Sequence, residues 1–215
     1  MVKEEDSADD AAAPMPRIKI RIESLSDLVF GLALSIGSLV LVGRSVQSGE
    51  ALGFNVVLFG FGFAIIVMAW LRYSRTMAVL PVEAPFALLS NFALLFFVAL
   101  EPYLFYVLWS AQTPGLLDSA SVAYGLDLGG MFFTQAALAY LVVKEEKGGL
   151  GGRQPPLPVV SARFRRAAKV SAVLGAVFVV SVLPVFWTGT PIGPLRYYLW
   201  IAVFLASVFG LATER

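Results

Sequence analysis

The feature that most constrains this chain is a series of apolar runs, each long enough to cross a lipid bilayer. Crossing takes about 20 residues as an α-helix, whereas barrel strands need about 10 and alternate in polarity. Of the 215 residues 58% are hydrophobic and only 14% are charged, against about 25% charged in soluble domains. We therefore predict an all-α integral membrane protein with six transmembrane helices, at Leu25–Val42, Leu52–Leu71, Ala84–Trp109, Ala120–Val143, Ala167–Trp187 and Ile192–Ala212.

Positive charge is divided unequally between the two sides of these helices. If the N-terminus is inside, the outer segments contain only Arg44 and Arg196, and the other 14 of the 16 Lys and Arg residues are inside. Cytoplasmic segments carry such an excess, so both termini are predicted to be cytoplasmic in a multi-pass protein of the cell membrane. Trp70 and Tyr73, at the inner end of helix 2, have the placement of an interfacial aromatic belt.

The polar segments define the domain organisation. Residues 1–16 are acidic and rich in Ala and Pro, which predicts a disordered cytoplasmic tail rather than a signal peptide. Residues 17–215 form a single six-helix transmembrane domain. Within it, residues 148–158 are rich in Gly and then Pro, which predicts a flexible cytoplasmic loop.

The residue types that are absent exclude several functions. The chain has no cysteine and no histidine, which excludes disulfides, the usual zinc sites and Ser-His or Cys-His nucleophiles. We therefore expect no enzyme and no cofactor. The basic residues follow topology, so no nucleic-acid partner is expected. The run Arg163–Arg166 is typical of a topology anchor, with anionic-lipid binding as the alternative.

One face of the first helix carries a regular stripe. Leu28, Leu32, Ser35 and Leu39 follow the spacing i, i+4, i+7 and i+11, and Ile36 lies at the edge of the same sector. Taken alone, the stripe favours ordinary packing inside the bundle. A single helix cannot enclose a path, but several symmetry-related copies could do so with the stripe turned inward.

Polar residues stand at the start of this helix. Ser24-x-x-Asp27 has the form of a helix N-terminal capping box. The alternative is a functional network in which Asp27 pairs with Arg21, Arg72 or Arg75.

Two further acids lie within predicted spans. Glu101 and Asp127 fall at a similar depth near the outer side, where a charge in lipid costs about 3 kcal/mol. The positions favour a structural pair with Arg44 or Arg196. The alternative is an outer vestibule that attracts cations.

The segment Arg21-x-x-x-Leu25-Ser26-Asp27, followed by an apolar helix, resembles the Arg-x-x-x-Phe-Ser-Asp signature of the potassium channels of the transmembrane protein 175 family. The number of helices, Trp70 at the end of helix 2 and Pro102 in helix 3 are also similar to features of the prokaryotic members. The resemblance implies a homotetramer in which helix 1 of each subunit lines a central pore. Permeant K⁺ and the surrounding lipids are then the other partners.

The resemblance also implies roles for residues of helix 1. Leu32 would form the hydrophobic gate, Ser35 a hydroxyl layer, and Ile36 and Leu39 further apolar rings. The signature residues Arg21, Ser26 and Asp27 would stabilise the helix ends in the open state. The function expected is a potassium-permeable cation channel without the Thr-Val-Gly-Tyr-Gly carbonyl filter. A proton-permeable channel and an ion-coupled secondary transporter are the alternatives.

Overall fold

The computed structural model describes residues 17–42, 48–80, 85–146, 158–187, 189–190 and 193–213. A 3-10 turn follows the fifth helix at Pro184–Trp187, and strand β1 (Gly189–Thr190) pairs with β2 (Gly193–Pro194) in a minimal antiparallel ladder. The predicted tail at 1–16 and all of the predicted loop except Pro158 lie outside the described residues. The six helices are α1 (Arg17–Val42), α2 (Gly49–Met77), α3 (Pro85–Ser110), α4 (Pro114–Glu146), α5 (Pro158–Val180) and α6 (Leu195–Thr213).

By length and composition, four of these helices can cross a membrane, which confirms the prediction of a helical, multi-pass membrane protein. The described apolar part of α6, Leu195–Val208, is shorter than these four. Six spans and cytoplasmic termini remain predictions. The four candidate spans are Lys19–Leu39, Gly49–Met77, Pro85–Ser110 and Pro114–Lys144.

Helix α1 begins at Arg17, two turns before the predicted start of the first span. The Lys19 ammonium lies 3.8 Å from the Glu23 carboxylate, an i, i+4 pair that supports the added turns. Ser24 therefore lies inside the helix, where the backbone N–H groups already have partners. The prediction of a capping box at Ser24 and Asp27 is wrong for this reason.

Helix α5 also differs from its prediction. It begins at Pro158, where the missing N–H costs nothing in the first turn, and ends at Val180 rather than at Trp187. Pro184 has no N–H to continue the hydrogen-bond ladder, and the residue before a proline avoids helical geometry. The chain consequently tightens into the 3-10 turn before it reaches α6.

The packing centre of the bundle is α4, which contacts α3 on one side and α5 on the other. Gly129 and Gly175 let α4 and α5 approach closely: a Cβ on Gly129 would lie 2.7 Å from Val179 Cγ2 and 3.2 Å from the Gly175 carbonyl oxygen. By contrast, the main contacts of α1 within the described residues are with α2 and α3. In the most apolar stretch of α1, 17% of the residues are buried, compared with 61% in that of α4.

Candidate functional site

The stripe predicted on α1 lies on a face that no other described element of the chain covers. Leu28, Leu32 and Leu39 are 67%, 57% and 63% exposed, and Ile36 is exposed as well. The opposite face of the helix is packed, with Phe30 and Ala33 buried against the neighbouring helices. The interpretation of the stripe as packing inside one bundle is therefore wrong. The stripe faces the surroundings of the chain.

The same face carries hydroxyl groups without any charge. The Ser35 hydroxyl donates to the Gly31 carbonyl oxygen at 2.8 Å, and the Ser38 hydroxyl donates to the Ser35 carbonyl oxygen at 2.7 Å. Because each serine hydroxyl donates its proton to a backbone carbonyl, the lone pairs of the hydroxyl oxygen remain available to accept hydrogen bonds. The exposed face therefore alternates leucine side chains with small acceptor oxygens.

Two of the three signature residues attach α1 to α2. Ser26 is completely buried; its hydroxyl donates to the Ile22 carbonyl oxygen at 2.8 Å and accepts from the Tyr73 hydroxyl at 2.7 Å. Next to it, the Trp70 indole N–H donates to Asp27 Oδ1 at 2.9 Å. We call these four side chains, Ser26, Asp27, Trp70 and Tyr73, the α1–α2 clasp.

The clasp differs from the network that the sequence predicts. Within the described residues, Arg21 is exposed and no hydrogen bond or ion pair joins it to Ser26 or Asp27. Arg72 points elsewhere, toward Ser171 and Ser207. Neither Arg21 nor Arg72 is therefore the partner of Asp27, and the hydrogen bond that Asp27 accepts comes from the indole N–H of Trp70.

Sequence reasoning missed Trp70 and Tyr73 as partners because their position suggested an interfacial belt. Tyr73 is only 2% exposed, so it does not lie at a lipid interface. A usable signal was present: the two aromatic donors are spaced i, i+3 on one face of α2, at the end of the helix that meets the start of α1.

The two intramembrane acids do not face water. Glu101 and Asp127 are 1% and 2% exposed, on the packed sides of α3 and α4. The Tyr124 hydroxyl, one turn from Asp127, donates to Glu101 Oε1 at 3.3 Å, and neither carboxylate oxygen of Asp127 has a hydrogen-bond partner among the described residues. The prediction of an outer vestibule is wrong, because buried carboxylates cannot line one.

The predicted pairing of these acids with an arginine is also not found. The Arg196 guanidinium instead binds Asp118 Oδ1 at 3.1 Å and lies over the rings of Trp187 and Tyr197. Arg44 lies outside the described residues. Asn91 on α3 is another buried polar side chain whose amide atoms lack partners in the described part of the chain.

A small cavity adjoins Glu101 behind α1. It has a volume of about 30 Å³ and lies between α1, α2 and α3, with Asn55 and Gly62 among its lining residues. A hypothetical Cβ on Gly62 would lie 3.6 Å from Glu101 Oε1, so the missing side chain leaves room beside the carboxyl group. This space can hold one water molecule, for which Glu101 and Asn55 supply polar partners.

No family model, no curated protein and no solved structure matches this chain. In the described ranges, no three acidic side chains lie close enough together to hold a metal ion. The candidate site is thus defined by the uncovered face of α1 and by the clasp that fixes its rotation against α2.

Proposed function

We propose that this chain is one subunit of a potassium-permeable cation channel whose pore is lined by α1 from several copies. The observation that carries the proposal is the uncovered α1 face, on which Leu32, Ser35 and Leu39 are all exposed while the opposite face is packed. The resemblance to the transmembrane protein 175 channels, with a homotetramer in the cell membrane, agrees with this arrangement.

The composition of the face favours a protein or water neighbour over lipid tails. A lipid-facing surface gains nothing from hydroxyl or glycine residues, whereas helix–helix interfaces in membranes are enriched in them. Gly31, Ser35 and Ser38 interrupt the leucines on the exposed side. A lining of this kind supplies acceptor oxygens to a dehydrating cation and leaves it no fixed countercharge to bind.

The proposed gate is a ring of Leu32 side chains, one from each copy. Four leucines meeting at the axis exclude water, and a hydrophobic constriction without water blocks ions. The Ser35 oxygens lie one turn beyond and supply partial coordination once the ring opens. Because no carbonyl filter is encoded, we expect a moderate preference for K⁺ over Na⁺.

The clasp determines which side of α1 faces the proposed pore axis. Its two interhelical hydrogen bonds, from Tyr73 to Ser26 and from Trp70 to Asp27, fix the rotation of α1 about its own axis. Which residues of the stripe face the axis depends on this rotation. We therefore assign Ser26 and Asp27 the role of setting the gate, while Arg21 remains free of the clasp in the described residues.

We infer six membrane crossings with both termini cytoplasmic from the placement of charge. Arg72 and Arg75 at the end of α2 line the same cavity as Arg163 and Arg166 at the start of α5, so these cations lie at one end of the bundle. The apolar part of α5, residues 170–180, is too short to span the membrane alone. The segment after it, which includes the 3-10 turn at Pro184–Trp187, must complete the fifth crossing. The positive-inside rule makes the basic end cytoplasmic.

The proposal is tested by planar-bilayer recording of the purified chain with K⁺ and Na⁺ on opposite sides. Leu32→Ala should raise the leak current, because the smaller side chain opens the constriction to water. Leu89→Ala is the matched control, since Leu89 is 65% exposed on α3, away from the stripe. A Leu32→Ala variant that conducts no better than the wild type would refute the gate assignment.

The absence of native cysteine permits a direct test of the oligomer. Leu32→Cys should give disulfide-linked dimers under mild oxidation in membranes, because symmetry brings the four side chains together at the axis. Leu89→Cys should remain monomeric on the same gel. If both variants cross-link equally, or neither does, α1 does not surround a shared axis.

An ion-coupled carrier or a proton-permeable pore is the second candidate, and the buried acids Glu101 and Asp127 are the observation that favours it. Ionisable groups inside a membrane often mark an ion path. Carriers also tend to have broken helices at the site, yet α3 continues through Pro102 from Pro85 to Ser110. Saturable flux that is lost in Glu101→Gln, without single-channel steps, would favour the carrier over the channel.

A further inference from the structure

A large basic cavity lies at the end of the bundle where α2 and α4 finish and α5 begins. Its volume is about 910 Å³, near the upper end of the range of about 300–1,000 Å³ for small-molecule sites. Four arginines line it, and among the described lining residues there is no acidic side chain. The four are Arg72, Arg75, Arg163 and Arg166.

The arginines are arranged at two depths. Arg72 forms the floor, where its guanidinium is held by the Ser171 hydroxyl at 3.1 Å and the Ser207 hydroxyl at 3.0 Å. Arg163 and Arg166 are exposed at the rim, spaced i, i+3 on one face of α5. Cations gathered in a recess with low-dielectric walls concentrate an attractive field for an anion.

Apolar side chains form much of the remaining wall, beside a few uncharged polar ones. Leu138 and Ala139 of α4 line one side, and Val160 and Phe164 of α5 line another. The cavity also lies at the end of two candidate spans, Gly49–Met77 and Pro114–Lys144, which is the level of lipid headgroups in a bilayer. A ligand with both a negative charge and an apolar part would contact both kinds of surface, whereas a free inorganic anion would contact only the arginines and the polar side chains.

We propose that this cavity binds the phosphate headgroup of an anionic phospholipid. Arg163 and Arg166 engage the phosphate oxygens, since planar guanidinium groups bind phosphate in a bidentate manner. The apolar wall at Phe164 contacts the glycerol and the first acyl carbons. The proposal does not rest on the pore, because no described lining residue belongs to the α1 stripe, although Tyr73 of the clasp also lines the cavity.

The test is a lipid titration of the full-length chain in neutral detergent, followed by the midpoint of thermal unfolding. Dioleoyl phosphatidylglycerol should raise the midpoint saturably, because a ligand that binds only the folded state stabilises it. Arg163→Gln/Arg166→Gln should weaken the apparent affinity at least about tenfold, the loss expected when about 1.4 kcal/mol of binding is removed. Both positions are exposed, so the double variant should fold.

The matched control is Arg165→Gln/Lys169→Gln, which removes the same charge from the same helix at exposed positions that do not line the cavity. It should bind within about threefold of the wild type, well inside the tenfold loss that 1.4 kcal/mol represents. Equal weakening in both double variants would refute a site and indicate general charge attraction.

Two further arms identify the ligand. Dioleoyl phosphatidylcholine carries a phosphate with a compensating positive charge and should shift the midpoint much less. Inorganic phosphate at matched concentration should have no effect. If inorganic phosphate reproduces the shift, or if phosphatidylcholine equals phosphatidylglycerol, the assignment to an anionic phospholipid is wrong.

Discussion

Removing the hydroxyl of Tyr73 tests the contact that attaches α1 to α2. Tyr73→Phe leaves Ser26 with its bond to the Ile22 carbonyl and deletes only the 2.7 Å interhelical bond. The expected loss is about 0.5–1.5 kcal/mol of unfolding free energy. Ser26→Ala should cost more, about 1–3 kcal/mol, because it leaves the buried Tyr73 hydroxyl without an acceptor.

The double variant separates the contact from other effects. With both hydroxyls removed there is no orphaned donor, so the combined loss should fall short of the sum by about 1 kcal/mol. Interhelical hydrogen bonds in membrane proteins average about 0.6 kcal/mol and reach about 1.7 kcal/mol. The measurement is reversible unfolding in mixed micelles of increasing denaturing detergent, read by near-ultraviolet circular dichroism.

The matched control is Tyr103→Phe, which removes a hydroxyl from a side chain 61% exposed on α3. It should leave the unfolding free energy unchanged. Distant sites add within about 0.3–0.5 kcal/mol. If the losses at Ser26 and Tyr73 add within that margin, the two hydroxyls do not touch and the clasp is not formed as described.

Two further predictions concern the packed part of the bundle. Gly129→Leu should cost at least about 1–3 kcal/mol by overpacking, since a Cβ there meets Val179 at 2.7 Å; Gly53→Leu, with nothing within 4 Å, should not destabilise in the same unfolding assay. Tyr124→Phe should cost about 1–3 kcal/mol, because it removes the hydrogen bond that the Tyr124 hydroxyl donates to the buried Glu101 carboxyl group. A Gly129→Leu variant as stable as Gly53→Leu would contradict the close packing of α4 and α5. A Tyr124→Phe variant as stable as the wild type would contradict the hydrogen bond to Glu101.

Hydropathy was enough to predict the helical membrane fold, because the length of an apolar run measures the distance it can span. Periodicity was enough to place Leu32, Ser35 and Leu39 on one face, since the repeat of an α-helix is fixed. Neither hydropathy nor periodicity shows which part of the protein or its surroundings contacts that face. The choice between interior packing and exposure was therefore settled by the structure, and the sequence had favoured the wrong one.

The partners of polar side chains could not be predicted for the same reason. Asp27 has several arginines within reach in sequence order, yet its partner is Trp70, because the start of α1 meets the end of α2 at the level of the indole. The burial of Glu101 and Asp127 likewise depends on how α3 and α4 turn toward each other. Hydropathy also misplaced helix boundaries: α1 begins earlier than predicted, and α5 ends before Pro184, where the backbone chemistry of proline overrides hydropathy.

The clasp sits near one end of the exposed stripe, and this has a mechanical consequence for a pore built as proposed. Leu39 is 12 residues from Asp27, a lever arm of about 18 Å, whereas Leu32 is five residues away at about 7.5 Å. A tilt of about 10° around the clasp would carry Leu39 outward by about 3 Å but Leu32 by only about 1.3 Å. Such a pore widens away from the clasp, and of the two side chains Leu32 is displaced less and is the later to clear the way for an ion.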